Sequence, residues 1–459
     1  MSGQGQGPSA VDDDLRLRMA LVAEEIVQRA PENAIEPTLS RVEQVMDLMG
    51  SPQRSFPVVH ITGTNGKTST ARLVERLLRE MGLTTGRYTS PHLHDMRERI
   101  AVGGEPIDEQ RFLDAYDDVL PYLHMVDEQS LAAEGPRMTF FEVLTCVAYA
   151  AFADAPVDVA VVEVGLGGAW DATNVADGQV AVMTPVAIDH AHLLGDSLSA
   201  IATEKCGIIK AEAIAVVGVQ EPEVMQIMLD RADEVGASVQ AEGVAFGVLE
   251  REVAVGGQLL SLRGLAGDYR EVFLPLFGAH QAHNLALAVA AVEAFVGGGE
   301  QKLTDEVLEV ACADMSAPGR LEVVRRSPTV LVDAAHNPAG VAALVEAMRE
   351  SFTFGRVVGV LAVLADKDVE PMVELLEAVL DHVVITRTTS PRAVRPERLA
   401  EIAVAYFGQD RVSVVPDLPD ALDTAAGLAD EGGMSGAVLA TGSVITAAEV
   451  RMLLGHRDT

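Results

Sequence analysis

Two glycines, a lysine and a threonine follow an apolar run that predicts a strand over Val58–Ile61. Gly63 and Gly66 let backbone N–H groups approach phosphate oxygens, and the helix start that follows adds partial positive charge. Lys67 can reach terminal phosphates, while Thr68 can face a magnesium ion. The pattern predicts a nucleotide-binding loop, with a plain glycine-rich turn as the alternative. Its residues are Gly63, Thr64, Asn65, Gly66, Lys67, Thr68 and Ser69.

Two other apolar strands are followed by side chains that suit a metal ion. Strand 157–164 ends near Glu163, and strand 180–183 leads to His190. The carboxyl ends of parallel strands form the ligand crevice of an open α/β sheet. Burying a carboxylate there costs free energy unless a cation is nearby. We therefore interpret Glu163 as a magnesium ligand, with a structural ion pair as the alternative. We interpret His190 as a neutral imidazole at a second metal site, with a surface or capped residue as the alternative.

Two lysines and one serine elsewhere in the chain can each be interpreted as a site residue or as a purely structural one. Lys205 and Lys210 stand near the end of a predicted helix over 198–210, where cations commonly interact with the helix C-terminus. The physics of the sequence does not distinguish between them. Ser90 precedes a proline, which suits a ligand-facing hydroxyl and a simple turn equally well.

A strand-to-helix turn in the last third of the chain carries Asp333, His336 and Asn337. Asn337 can cap the helix that starts at Pro338, and capping explains this residue by itself. Capping explains neither the histidine nor the aspartate at the end of a buried strand.

Composition excludes several classes of partner. The 459 residues carry a formal net charge of −34, which repels nucleic acid and anionic lipid. No uncharged apolar run reaches the ~18 residues needed to span a membrane. The three cysteines lie far apart, which argues against a zinc site or a disulfide framework. Residues 1–11 lack a signal-peptide pattern and predict a disordered polar tail, so we expect a cytoplasmic protein.

The order of strands and helices predicts an α/β protein with two units: a P-loop ATPase domain with a mostly parallel sheet, and a smaller Rossmann-like C-terminal domain. We place the units at 12–317 and 318–459. Besides those already named, strands are predicted at 215–219, 329–333, 357–361, 382–386, 412–415 and 437–441. Helices are predicted near 15–26, 69–82, 107–124, 138–153, 280–296, 339–350, 369–380, 396–407 and 444–454. Segment 244–275 predicts a small antiparallel excursion.

Together these motifs resemble the folylpolyglutamate synthase/dihydrofolate synthase family of the Mur ligase superfamily, over nearly the whole chain. The motifs are TGTNGKT at 62–68, TSPHL at 89–93, EVGLGG at 163–168, DATN at 171–174, DH at 189–190, EKCGIIK at 204–210, PGRLE at 318–322, DAAHNP at 333–338 and TGS at 441–443. Their order and spacing fit the family. Ala169 departs from it, because an arginine usually precedes DATN.

The resemblance implies roles for individual residues. It implies ATP contacts at Asn284, Arg320 and Asp333, one magnesium ion on Ser90 and Glu163, and a second on Glu163 and His190. A monovalent cation is a further candidate. Lys205 would carry a carboxylated amine, and His336 would steady the γ-phosphate. The positions that would line the pteroate site are Ile35, Glu36, Pro37, Thr139, Trp170, Asp171 and Ala172.

The implied activity is ATP-dependent ligation of L-glutamate to dihydropteroate, to folates, or to both, through an acyl phosphate. We expect a monomer that acts on small molecules and binds neither nucleic acid nor membranes. One rival is a cell-wall Mur ligase, which carries a UDP-binding domain ahead of the loop, whereas only 62 residues precede Gly63. The other is a nucleotide switch, which would have no use for Glu163, His190 and the DAAHNP turn.

Overall fold

A computed structural model of the protein describes residues 10–30, 36–431 and 435–456. The first sheet contains β1 (Val58–Thr62), β2 (Thr85–Tyr88), β3 (Ile100–Val102), β4 (Glu105–Pro106), β5 (Val159–Glu163), β6 (Gly178–Met183), β7 (Ile214–Val217) and β8 (Ser238–Ala241). Their order is β4-β3-β2-β5-β1-β6-β7-β8, and β3 and β4 form an antiparallel edge on an otherwise parallel sheet.

Helices cover both faces of this sheet because its central strands are apolar on both sides. They are α1 (Ala10–Val27), α2 (Ser40–Leu48), α3 (Lys67–Glu80), α4 (Glu109–Ala132), α5 (Phe140–Asp154), α6 (Ala191–Leu194), α7 (Leu198–Lys205), α8 (Pro222–Val235), α9 (Ala279–Gly297) and α10 (Asp305–Ala313). Successive side chains of β1 point to opposite faces: Val58 packs with α4 and α5, and Val59 with α3 and α9.

A three-stranded antiparallel sheet, in the order β11-β10-β9, packs against α9. Its strands are β9 (Gly247–Ala254), β10 (Gly257–Arg263) and β11 (Asp268–Leu274). The alternation of polar and apolar residues in this segment places Leu260, Leu262 and Tyr269 in the core. The predicted antiparallel excursion over 244–275 is confirmed.

The last sheet has six strands: β12 (Glu322–Arg326), β13 (Thr329–Val332), β14 (Arg356–Leu361), β15 (His382–Ile385), β16 (Val412–Val414) and β17 (Gly436–Thr441). Their order is β12-β13-β17-β14-β15-β16, with only β12 antiparallel to its neighbour. The covering helices are α11 (Pro338–Ser351), α12 (Val369–Glu377), α13 (Pro396–Phe407), α14 (Leu418–Asp430) and α15 (Val444–Leu453). The predicted boundary near residue 317 lies between α10 and β12.

The predicted fold class is confirmed, but several elements differ from the prediction. Helix α4 extends to Ala132, past the expected end at 124, with Pro121 inside it. Helix α7 ends at Lys205, short of the expected 210, because a 3-10 turn over Cys206–Ile208 follows it. The sequence did not predict strands β2, β3, β4, β8 and β12 or helices α2, α6, α8, α10 and α14.

Two further predictions concern the polar tail at the start of the chain and the absence of membrane-spanning helices. Residues 1–9, most of the expected polar tail, lie outside the described residues, and α1 begins at Ala10. Among the described helices, none is long and apolar enough to cross a membrane.

Candidate active site

The loop between β1 and α3 is held in a conformation that requires both of its glycines. Gly63 has φ +140°, and a Cβ built there would collide with Thr184. Gly66 has φ +91°, and a Cβ there would approach the Asn284 side-chain oxygen to 2.7 Å. The loop thus packs between the chain that follows β6 and the helix α9. Asn284, for which the resemblance implies an ATP contact, lies against this loop.

Lys67 folds back over its own loop. Its Nζ donates to the carbonyl oxygens of Gly63 and Thr64, both at 3.2 Å. Burial lowers the pKa of Lys67, although the charges of Glu163 and Asp189 oppose this shift. The Lys67 amine therefore lies over the loop that the sequence predicts to bind phosphate. Ser69 is buried in the first turn of α3.

Glu163 lies at the end of β5 with 2% of its surface exposed. One carboxylate oxygen accepts from the Thr68 hydroxyl at 2.9 Å, and the other accepts from the Ser90 backbone N–H at 3.2 Å. Burial raises the pKa of Glu163, whereas the charge of Lys67 and the hydrogen bond from Thr68 lower it. Hydroxyl and carboxylate oxygens are the ligands that magnesium prefers, so this group fits the ion that was predicted for it.

His190 is not part of that oxygen group. It adopts a left-handed backbone conformation (φ +50°), and its Nε2 lies 3.3 Å from the Lys367 amine. Burial lowers the pKa of His190 to about 4, against the charge of Asp189, which keeps the imidazole neutral at pH 7. The lone pair of this imidazole, which a metal ion would need, accepts from the Lys367 amine in this structure. Among the described residues, no cluster of three or more His, Cys, Asp and Glu side chains is arranged to hold one.

Asp189 joins the two units of the chain. Its Oδ1 accepts from the Lys367 amine at 2.7 Å, and its Oδ2 accepts from the Asn337 amide at 3.1 Å. His336 Nε2 lies 3.5 Å from the same Oδ2. Burial acts to raise the pKa of Asp189, but the hydrogen bond from His336 and the positive charges around it lower the pKa overall. The carboxylate is therefore ionised where the last sheet meets the first.

Asn337 and Asn65 form a second contact across this junction. Each side chain donates its amide to the oxygen of the other, at 3.0 and 3.2 Å. Asn337 also caps α11 by accepting from Gly340 N–H at 2.8 Å. Capping alone was expected to account for Asn337. This is wrong, because the Asn337 amide also reaches Asp189 and Asn65, which lies in the predicted nucleotide-binding loop over residues 63–69, called the phosphate loop from here on.

Lys205 and Lys210, which the sequence left equivalent, have different surroundings. The amine of Lys205 is buried and donates to the Gly63 carbonyl at 2.8 Å, whereas the amine of Lys210 donates to Asn174 O at 3.2 Å. Burial and the charge of Lys67 lower the pKa of Lys205 to about 7. Only Lys205 of these two contacts the phosphate loop, and its amine does not cap its own helix.

Arg320 and Asp333 lie together on the link and the first parallel strand of the last sheet. The two Asp333 oxygens accept from Leu321 N–H at 2.8 Å and from Ala335 N–H at 2.7 Å. Burial raises the pKa of Asp333, and the charge of Arg320 opposes this. Arg320 donates to the Gly319 carbonyl at 3.2 Å. The aspartate thus fixes the link backbone at Leu321, next to Arg320.

The residues expected on the acceptor side fall into two groups. Thr139 caps α5 in a capping box with Glu142, and Arg41 pairs with both Glu142 and Glu36. Arg41 therefore connects the expected positions Glu36 and Thr139, which the sequence gave no reason to link. Pro37 is exposed beside them, and Ile35 lies outside the described residues.

The second group follows the glycines after β5. Trp170 donates its backbone N–H to Glu204 at 3.1 Å, and Ala172 is buried. The Asp171 carboxylate is 3% exposed and accepts from Leu166 and Thr173. Because both of its oxygens accept from nearby groups of the same loop, Asp171 fixes the shape of that loop.

Comparison with known proteins identifies the family. The Mur ligase middle domain matches residues 121–292, and the Mur ligase glutamate ligase domain matches residues 319–444. A dihydrofolate synthase/folylpolyglutamate synthase of Mycobacterium tuberculosis is 47% identical over 475 residues, covering 99% of this chain and 97% of the relative. The chain belongs to the dihydrofolate synthase/folylpolyglutamate synthase family. The predicted family is confirmed.

Solved structures of this family share the fold. A folylpolyglutamate synthase of M. tuberculosis complexed with ADP and AMPPCP superposes with a TM-score of 0.92, covering 97% of this chain and 100% of that one. An Escherichia coli FolC in complex with DHPP and ADP, 30% identical, gives a TM-score of 0.82 and covers 96% and 98%. Members of the family therefore place nucleotides on the architecture seen here.

Proposed function

We propose that this chain is an ATP-dependent amide ligase that adds L-glutamate to dihydropteroate, to the γ-carboxylate of folates, or to both. The observation that carries the proposal is the junction around the phosphate loop. There Asn337 and Lys367, from the unit of the last sheet, reach Asn65 and Asp189 of the first unit. A ligase needs such a two-sided site because a nucleotide, an acceptor and an amine must meet in one enclosed place.

In the proposed reaction the acceptor carboxylate attacks the γ-phosphorus of ATP, which forms an acyl phosphate and releases ADP. The amine of glutamate then attacks the acyl carbon, and phosphate leaves. Acyl phosphates hydrolyse readily, so water must be excluded while the intermediate exists. The Lys367 and Asp189 side chains are only 6% and 10% exposed, which supports an enclosed junction.

The charges of this chain's own residues suit that chemistry. Lys67 would act as a point charge on the terminal phosphates, and Arg320 would approach the nucleotide from the link. His336, fixed between Ala334 and Asp189, would steady the γ-phosphate side. Asn284 and Asp333 would complete the nucleotide contacts.

The same site suits magnesium. We assign Ser90 and Glu163 to one ion, and Glu163 with His190 to a second; a monovalent cation is a further candidate. When bound, magnesium neutralises charge on the transferring phosphoryl group. The buried Glu163 carboxylate supports this assignment, because its nearest partners are the Thr68 hydroxyl and a backbone N–H. Lys205 is proposed as the carboxylated lysine.

One assay separates this proposal from its rivals. ADP release from ATP is measured with dihydropteroate and glutamate, with tetrahydrofolate monoglutamate and glutamate, and with each component omitted. A glutamate ligase releases ADP over many turnovers only when acceptor and amine are both present, because without glutamate the reaction stops at the acyl phosphate. A nucleotide switch would hydrolyse nucleotide without either, and a cell-wall Mur ligase would require a UDP-muramoyl peptide. The two acceptors distinguish dihydrofolate synthesis from polyglutamylation.

The remaining expectations concern the protein as a whole. We expect a monomer in the cytoplasm that does not bind nucleic acid, in line with its net charge of −34. Size-exclusion chromatography with light scattering would test the monomer directly.

A further inference from the structure

Gln220 follows β7 and holds a neighbouring chain segment with both ends of its side-chain amide. Its Nε2 donates to the Thr184 carbonyl at 3.0 Å, and its Oε1 accepts from Val186 N–H at 3.0 Å. An amide is the one uncharged side-chain group that offers a donor and an acceptor side by side. Gln220 therefore fixes both the position and the orientation of the segment 184–186.

This segment is also the support of the phosphate loop. Pro185 O accepts from Thr64 N–H at 3.0 Å. The Thr64 hydroxyl donates to Ala187 O at 2.9 Å and accepts from Ala187 N–H at 3.0 Å. Thr184 lies against Gly63, where a Cβ would collide with it. A shift of the segment would carry Thr64 and Gly63 with it.

The segment continues to Asp189 and His190, which meet the second unit of the chain. Gln220 thus stands behind two parts of the site: the phosphate loop and the turn that carries the Asp189 carboxylate. Among the described hydrogen bonds, the Gln220 side chain reaches neither part directly, so its effect on ligands would pass through the segment 184–187.

A second set of contacts connects the chain next to Gln220 with α9. The preceding residue, Val219, donates its N–H to Glu242 Oε2 at 3.2 Å. The other oxygen of Glu242 lies 2.5 Å from His283 Nδ1, next to Asn284, which packs against Gly66. The phosphate loop is therefore flanked by the segment that Gln220 holds and by α9, and Glu242 connects the chain beside Gln220 to α9.

We propose that Gln220 is a positioning residue for nucleotide binding, which it serves by clamping the segment 184–186 under the phosphate loop. The proposal rests on the nucleotide role of that loop within the proposed function. It requires an amide at this position. Methionine has a similar length but offers neither bond, and glutamate would keep the acceptor while turning a charge toward the Thr184 carbonyl.

The test is equilibrium binding of ADP to the full-length protein by calorimetry. We expect Gln220→Met to bind ADP about tenfold more weakly, because two hydrogen bonds that order the loop are lost. Gln220→Glu should bind at least as weakly as Gln220→Met. Gln226→Met is the matched control, because Gln226 is exposed on α8 and contacts only Asp230, four residues along the same helix, among the described hydrogen bonds. We expect the control to bind ADP as wild type does.

Kinetics provide a readout that a purely structural role would not move. A variant that merely folds less well loses kcat in proportion to the folded fraction, with both KM values unchanged. A misplaced phosphate loop raises the KM for ATP while the KM for the acceptor stays near wild type. We expect the second pattern for Gln220→Met.

Gln220→Met that binds ADP within twofold of wild type would overturn the proposal. If that variant does not fold, Glu242→Gln replaces it. This substitution weakens the contacts of Glu242 with Val219 and His283 and keeps both hydrogen bonds of the Gln220 amide. About threefold weaker ADP binding by Glu242→Gln is then expected, and unchanged binding would overturn the proposal. ADP binding also separates this inference from the proposed function: wild type that binds ADP but never ligates glutamate refutes only the latter.

Discussion

Lys67 and Lys205 donate hydrogen bonds to the same carbonyl oxygen, that of Gly63, at 3.2 and 2.8 Å. Two ammonium groups on one acceptor repel each other, so the arrangement favours a state in which one amine is neutral. Burial, reinforced by the charge of Lys67, lowers the pKa of Lys205 to about 7. A substantial fraction of Lys205 is therefore neutral at a pH where an exposed lysine would be fully protonated, and the neutral amine is the form that can react with CO₂.

We expect Lys205 to carry CO₂ as a carbamate, and Lys205→Ala to be nearly inactive, with partial rescue by acetate. The carbamate is an anion that would sit well beside Lys67 and the magnesium ions. Because the pKa of Lys205 is lowered, the reactive neutral form predominates above about pH 7 and is lost below it. The ¹³C NMR signal of the protein under ¹³CO₂ should accordingly grow as the pH rises through 7.

Lys210→Ala is the control for this experiment, because its amine contacts Asn174 and not the phosphate loop. It should keep the carbamate signal. A wild-type protein without a carbamate signal near pH 8, or a signal that survives Lys205→Ala, would contradict the assignment.

Glu163→Gln should fold normally and lose at least ~10²-fold in turnover at saturating magnesium, the scale of one preorganised electrostatic contact. Glutamine keeps the size of the side chain and removes the charge that the two proposed ions would share. Steady-state turnover over a magnesium titration measures this. The exposed Glu300→Gln is the matched control. Turnover within a few-fold of wild type would show that Glu163 is not a metal ligand.

The sequence predicted the fold well where strands are continuously apolar. Residues 159–163 and 436–441 are buried throughout, and an unbroken apolar run is recognisable without an alignment. Strand β2 was missed because it reads Thr-Gly-Arg-Tyr, yet all four residues are buried. Its Arg87 is tolerated inside because it pairs with Glu75 on α3 at 3.4 Å. That pairing depends on tertiary structure and leaves no local pattern in the sequence.

The site shows the same division. Residues that follow one apolar strand, such as Glu163, could be found from the rule on strand ends. Lys367 also lies in a loop that follows a strand, β14. A single lysine in a loop, however, forms no pattern that a sequence can be searched for. Its importance becomes visible only when Asp189 is found 2.7 Å away, 178 residues distant in the chain. Contacts between the two units are set by how the units dock, and spacing within a sequence does not encode them.

Arg320→Ala should weaken nucleotide binding and spare binding of the pteroate acceptor. Arg320 lies on the link, held next to Asp333 and away from Thr139 and Trp170 in the chain. Loss of one charge-assisted contact to a phosphate corresponds to ~1.5–3 kcal/mol, or roughly 10- to 100-fold in ADP affinity. Calorimetry with each ligand separately measures this, with the exposed Arg326→Ala as control. A selective loss of acceptor affinity would move Arg320 to the acceptor side.

Lys367 and Asp189 should behave as one unit in turnover. Removing either partner takes away the nearest opposite charge of a nearly buried group, so removing the second partner as well should cost little more. We expect Lys367→Met and Asp189→Asn each to lower kcat/KM for ATP at least ~10-fold, and the double variant to lose little more than the worse single variant. A double-mutant cycle on kcat/KM measures the coupling. Lys302→Met is the control, because its pair with Asp305 is exposed and lies within one unit. Additive losses in the cycle would mean that the Lys367–Asp189 contact does not hold the two units together during the reaction.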